Sequence, residues 1–359
     1  AVLPGTDTSL KEIILIEAHY DSRCAGLCDT ACTAEGMEDN GSGTALVLEL
    51  ARVMSRFSFS RSVVFMATTA EEQGLFGAGA FATWAQQNGI KIRAVLNNDV
   101  IGGVICGNTS SQPSCPGAGQ IDSTHMRLFS YGGFNSPHKQ LARFVKLQYE
   151  EMVKPMATVP MTLHIMTPED RTGRGGDHIP FRQKGYTAIR FTSANENGDA
   201  NVSNAGYSDR QHTADDILGV DTDADMQIDS FFVDFNYLAR NTVINGNAAA
   251  MAALGPLTPG FSYVSDGNSL YITITDQTHY PAYRLGLRTG ANDWDVVYTF
   301  SGGVGTFTVN LPDSNYIASV ASVDSNGVES LFSEEKMFTI NSLPEPPANS
   351  RCIELLQNQ

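Results

Sequence analysis

The chain has 359 residues, 42% hydrophobic and 17% charged, which is ample material for packed cores and excludes wholesale disorder. A net charge of −16 argues against a nucleic-acid partner, whose phosphates demand a basic face, and against an anionic membrane surface. No apolar run approaches the ~20 residues of a membrane span, and the length suggests two or three domains.

In chain order, the sequence opens at Ala1 without an initiator Met or a signal peptide, which reads as a processed or trimmed form. The brief apolar runs IILIEAHY (13–20), SVVFMATTA (62–70), AVLNND (94–99), MTLHIM (161–166) and TAIRFT (187–192) read as buried strands. Helix-like stretches lie between them at 44–57, 78–89 and 139–153, and a last helix is predicted from Asp225 to about Leu254. Thr213 with Asp216 resembles a capping box before that helix, and the acids of DTDADMQID (221–229) read as helix-start residues rather than a calcium loop. Residues 1–254 are therefore predicted to form an α/β fold, a mostly parallel sheet with helices on both faces.

From residue 255 the texture is strand and turn only, which predicts an all-β sandwich over 255–345, with Trp294, Tyr271 and Tyr283 as core aromatics. Its run NYIASVASVDSNGVESLFS resembles the closing hairpin of a fibronectin type III module. Residues 346–359 form a Pro-rich C-terminal tail. Six cysteines, an even count, fit an oxidised, exported protein, secreted or periplasmic. The spacing of Cys24, Cys28 and Cys32 does not suit a zinc ribbon. Cys106 and Cys115 bracket a Ser/Pro-rich loop and are the first choice for a bonded pair; the pairing of the others, including Cys352 in the tail, is open.

The residues that carry chemistry stand at strand ends. His19 and Asp21 close the first strong strand, Asp39 lies in a Gly-rich loop leading into a helix, Glu71 and Glu72 follow the next strand, Asp99 ends another, and His212 lies in RQHTADD. Strand C-termini of an open α/β sheet line its ligand crevice, so the fold sends all of these groups to one edge. Any one of them alone is an ordinary turn, cap or surface residue. So many acids together repel one another unless cations neutralise them, and imidazole with carboxylate suits zinc, with cobalt or manganese as substitutes. Two ions sharing a bridging carboxylate at ~3.5–4 Å use five ligands and leave one carboxylate over as a general base. Asp21 is placed to accept the second N–H of the His19 ring.

HYD (19–21), EDNGSG (38–43), AEEQG (70–74), NND (97–99) and QHTADD (211–216) together resemble the co-catalytic zinc aminopeptidases of metallopeptidase family 28, over roughly residues 10–250. The resemblance implies a bridging Asp39, with His19 and Asp99 completing one zinc site and Glu72 and His212 the other. It further implies Glu71 as the base, Asp21 as the residue orienting His19, and peptides with a free N-terminus as substrates. Gln211 stands where many members carry a tyrosine that holds the oxyanion, so it is placed at the substrate. His178, in GDHIPF, matches a family segment near the site and is expected in the pocket, as a rival to His212 for the ligand role. Members usually have a helix and one or two strands before the His-x-Asp strand, so the resemblance also implies an N-terminal piece, missing or cleaved. Glutaminyl cyclase and carboxypeptidase chemistry on the same fold are alternatives, although no arginine cluster for a substrate carboxylate stands out. An inert peptidase-like protein acting through the sandwich is a third.

Overall fold

A computed structural model of the chain describes residues 1–107, 113–115, 117–171, 174–196, 210–302 and 305–341. The tail and Cys352 lie outside the described residues. The elements of the first part are β1 (Val2–Leu3), β2 (Glu12–His19), α1 (Gly43–Met54), β3 (Ser62–Thr68), α2 (Phe76–Gln87), β4 (Lys91–Asn98), β5 (His125–Ser130), α3 (Pro137–Gln148), β6 (Thr162–Ile165), α4 (His178–Gln183) and β7 (Ala188–Ser193), followed by the short pair β8 (Gly219–Val220) and β9 (Ser230–Phe231) and by α5 (Phe235–Leu254). Seven strands form one sheet in the order β1-β3-β2-β4-β7-β5-β6. Pairing is parallel except where β1 meets β3 and β5 meets β7. The expected mostly parallel α/β sheet is therefore observed, with two antiparallel pairings.

The strands sit where the apolar runs predict, because a strand covered on both faces must be apolar on both. Ile14, Leu15, Ile16 and Ala18 of β2 are all fully buried. The helix α1 presents Leu46, Val47, Leu50 and Met54 to one core, which α5 shares through Ile244, Ala248 and Ala252. The opposite face of the sheet packs Ala78, Ala82 and Ala85 of α2 against Leu15 and Val95. Caps start two helices: Ser136 accepts from the Lys139 amide before α3, and Asp234 accepts from the Tyr237 amide before α5.

Two expectations are corrected here. The last helix begins at Phe235, not Asp225, and Asp234 caps it rather than Thr213. Asp221 instead accepts from the amides of Asp223, Ala224 and Met226, so the acids of 221–229 build turns rather than a helix start. The strand β5 and the helix α4 have no counterpart among the predicted elements. In β5 the polar His125, Arg127 and Ser130 interrupt the apolar pattern of HMRLFS.

The C-terminal third is all β: β10 (Phe261–Asp266), β11 (Ser269–Ile274), β12 (Ala282–Arg288), β13 (Val296–Ser301), β14 (Thr306–Asn310), β15 (Ser314–Val323) and β16 (Lys336–Ile340). They form a three-stranded sheet, β10-β11-β14, and a four-stranded sheet, β13-β12-β15-β16, around one apolar core. Tyr283 is in that core, whereas Tyr271 is exposed. Disulfides join Cys24 to Cys32 and Cys106 to Cys115, the latter as expected.

The segment before β16 is anchored to α3. Buried Glu335 accepts from Arg143 at 2.8 Å and from Arg288 at 2.7 and 2.9 Å, and it exchanges backbone and side-chain hydrogen bonds with Asn135. Nearby, buried Glu329 accepts from Gln148 at 2.6 Å, and Arg284 stands 3.9 Å away. Burial, only partly countered by Arg284 and reinforced by Glu151, pushes the Glu329 carboxyl up to about 7. The folded chain therefore binds more protons than the unfolded chain between the ordinary glutamate range and about 7, so stability falls as pH rises through that window. Glu329→Gln keeps the contact with Gln148 but removes the titration. Urea denaturation at pH 5 and pH 8 should show the wild-type chain losing about 3 kcal/mol more than the variant.

Candidate active site

The C-terminal ends of β2, β3 and β4 open onto one cleft of about 300 Å³. Buried His19, the last residue of β2, directs Nε2 to Asp39 Oδ1 at 3.2 Å and to Asp99 Oδ1 at 3.4 Å. His212 directs Nε2 to Asp39 Oδ2 at 3.2 Å and to Glu72 Oε2 at 3.1 Å. Asp39 thus gives one oxygen to each of two triads, His19–Asp39–Asp99 and Asp39–Glu72–His212. Five residues from five separate stretches of the chain converge as the sequence pattern predicts.

Local structure explains how Asp39 is held. Asp216 accepts from the Glu38 and Asp39 amides at 2.8 and 3.0 Å. Asn40 accepts from the Gly43 amide and donates to the Asn98 carbonyl, tying the loop to the end of β4 beside Asp99. A Cβ on Gly43 would lie 2.3 Å from that carbonyl, so this close approach needs glycine. The chain turns sharply at Ala70, Val100 and His212, whose φ values of 55°, 55° and 60° are left-handed.

The charges are balanced by named partners. Although burial opposes its charged form, the carboxylates of Asp21, Asp39 and Asp99 raise His19 well above the usual histidine range. His212 is raised to about 9 against the same opposition by Asp39 and Glu72. Those two imidazoles hold Asp39 well below the usual carboxylate range despite its burial. Arg23 donates to Glu72 at 2.9 Å and stands 2.8 Å from His212 Nδ1, and Arg190 pairs with Asp99 at 3.0 Å. Glu71 lines the cleft half-buried; burial and the surrounding carboxylates hold it well above its ordinary range.

Asp21 departs from expectation in detail. The His19 Nδ1 meets the Asp21 backbone carbonyl at 3.0 Å, while the Asp21 carboxylate lies 3.7 Å off and accepts from the Glu71 and Glu72 amides. Gln211 lines the cleft, but His178 does not. Its ring is fully buried on the Glu169 carbonyl, burial pushes it down to about 4, and it joins neither triad. The neighbouring Asp177, bonded by Thr68, is the buried acid of that segment, raised to about 6 by burial. Sequence reasoning also missed Arg23, Arg171, Arg174 and Arg190, four arginines on one cleft. They come from loops and a strand that share no spacing, so only the fold brings them together.

The donor set suits zinc. Two imidazole nitrogens and carboxylate oxygens at 3.1–3.4 Å match the separation of about 3.3 Å between ligands of a tetrahedral ion bound at ~2.0–2.1 Å. Glu72 Oε1 is buried without a hydrogen-bond partner, as a carboxylate shaped around a cation would be.

Residues 1–232 match the family model described as Peptidase family M28. The chain belongs to this family. A probable zinc metalloprotease of Pyricularia oryzae is 31% identical over 92% of this chain, and one of Leptosphaeria maculans is 29% identical over 89%. The chain spans 66% and 73% of those two relatives' lengths. Among solved structures, the M28 chain is similar to BSAP, a zinc aminopeptidase from Bacillus subtilis, at 19% identity and a TM-score of 0.47, covering 70% of this chain and 49% of that one.

The support that Asp216 gives to Asp39 is testable. Asp216→Ala leaves two buried amides without an acceptor and should cost about 2 kcal/mol or more in urea denaturation.

Proposed function

We propose that the chain is an exported zinc aminopeptidase that removes N-terminal residues from peptides, with two ions bound per chain. The observation that carries this reading is Asp39 standing between the two triads. His19 and Asp99 would complete one zinc site, Glu72 and His212 the other. Zinc bound there supplies Lewis acidity toward a scissile carbonyl and lowers the pKa of water. Glu71, raised in pKa and lining the cleft, takes the proton from the attacking water and returns it to the departing amine. Asp21 fixes the His19 ring through its carbonyl and props the Glu71–Glu72 backbone through its carboxylate. Gln211 stands at the cleft to meet substrate.

The two disulfides support an oxidising compartment outside the cytosol. Residues 1–254 are taken as the catalytic unit and 255–345 as a fibronectin type III-like accessory, a reading supported by the three-plus-four division of its strands. A carboxypeptidase is the second reading, favoured by the arginines of the cleft. Incubating an unmodified peptide and identifying the end that shortens separates the two.

The base assignment has its own test. Glu71→Gln leaves all five proposed ligands in place, so the variant should retain about two zinc equivalents by elemental analysis, as a two-metal site requires. Its kcat on an aminoacyl anilide should fall roughly 10²–10⁴-fold. Asp39→Asn should lose metal from both positions, and retention of a full complement would refute the bridging role.

A further inference from the structure

The arginines of the cleft are not equivalent. Arg23 is occupied by Glu72, and Arg190 by Asp99, Asp170 and Glu196 at 3.0, 2.8 and 2.7 Å. Arg171 pairs with Glu196 and with Asp170. Arg174 has no ion pair among the described residues. Its Nη2 donates to Gln211 Oε1 at 2.7 Å, and its Nε is buried with no acceptor. Glu196 in the same wall answers part of the guanidinium charge at longer range, while the donors not bonded to Gln211 stay available to a further group.

That guanidinium is fixed in place. The Arg174 amide bonds to the Arg171 carbonyl, and Gln211, which holds the side chain, is itself buried. Gln211 immediately precedes His212, so the fork of donors stands one residue from the second triad. The rest of the described wall has little to offer an aliphatic side chain. Among the described residues lining the cleft, Leu75 is the sole large apolar one, whereas a site for leucine or phenylalanine would be lined by several.

We propose that Arg174 is an anion subsite, so that the preferred substrates carry a carboxylate on a residue flanking the scissile bond. A guanidinium matches a carboxylate in shape and charge and holds it through paired donors. The carboxylate has two sources, an acidic side chain on the N-terminal residue or the free α-carboxylate of a dipeptide. This inference rests on the peptidase reading above and names its substrate class.

The test compares kcat/KM of the zinc-loaded chain and of Arg174→Gln and Arg174→Lys on matched peptides. One arm sets N-terminal Asp and Glu against Asn, Gln and Leu; the other sets Leu-Gly against its C-terminal amide. The wild-type chain should favour the carboxylate-bearing member of one arm, which identifies the source. In Arg174→Gln that preference ratio should fall about 10–100-fold, the effect of losing a charged, paired hydrogen bond, with part of it recovered in Arg174→Lys. An equal fall on charged and neutral substrates marks an arginine that only props Gln211 and overturns the proposal. So does a wild-type chain with no preference in either arm, provided it cleaves the neutral peptides. Release of no N-terminal residue from any peptide refutes the aminopeptidase reading itself, and the subsite falls with it.

Discussion

Carboxylates crowded into one cleft repel one another, and the architecture of the site follows from that constraint. Asp39, Glu71, Glu72, Asp99 and Glu196 all face the same space. Like charges 4 Å apart repel by about 4 kcal/mol at the effective dielectric of a protein surface. His19 and His212 clamp Asp39 from either side, Arg23 answers Glu72, and Arg190 answers both Asp99 and Glu196. His19, Arg23, Arg190 and His212 come from separate stretches of the chain, so the cluster exists only in the folded chain. The same arrangement leaves both triads anionic in excess of their imidazoles, which is the condition under which divalent ions bind well.

Much of the site is legible in the sequence because its residues stand at the ends of apolar runs. HYD, EEQG and NND each close a buried strand, and a parallel sheet places such ends along one edge. What the runs do not encode is the direction a side chain takes once the strand stops. Ala70 and Val100 turn through left-handed backbone that nothing in their side chains favours, Val100 least of all because it is β-branched. His178 shows the opposite failure. Its motif resembles that of a pocket residue, yet its ring points into the protein while its neighbour Asp177 faces Thr68. Both side chains are fully buried and neither lines the cleft, and a motif cannot report that burial.

The acidic stretch 221–229 misled for a related reason. Asp, Thr and Asp in alternation look like the first turn of a helix, where carboxylates complement the dipole. Short polar side chains bond just as well to amides two or three residues on, and Asp221 satisfies three amides of its own turn in that way. The helix waits for Asp234, whose side chain accepts from the Tyr237 amide. The arginines of the cleft were hidden more thoroughly. Arg171 and Arg174 lie in a loop, Arg190 in a strand and Arg23 beside a disulfide-bonded turn, so no local pattern announces that they meet.

The attachment of the sandwich has a consequence for how the chain can be divided. Arg143 on α3 is sealed from solvent, its charge answered by Glu335 and its planar face covered by Trp294 at 5.0 Å. Both partners belong to the C-terminal third, and Gly255 crosses so near the Glu329 carbonyl that a Cβ there would lie 2.5 Å from it. Cutting the chain at the linker would therefore uncover an orphaned guanidinium. The front section on its own is a different molecule from the front section in place, and the sandwich acts as its missing wall.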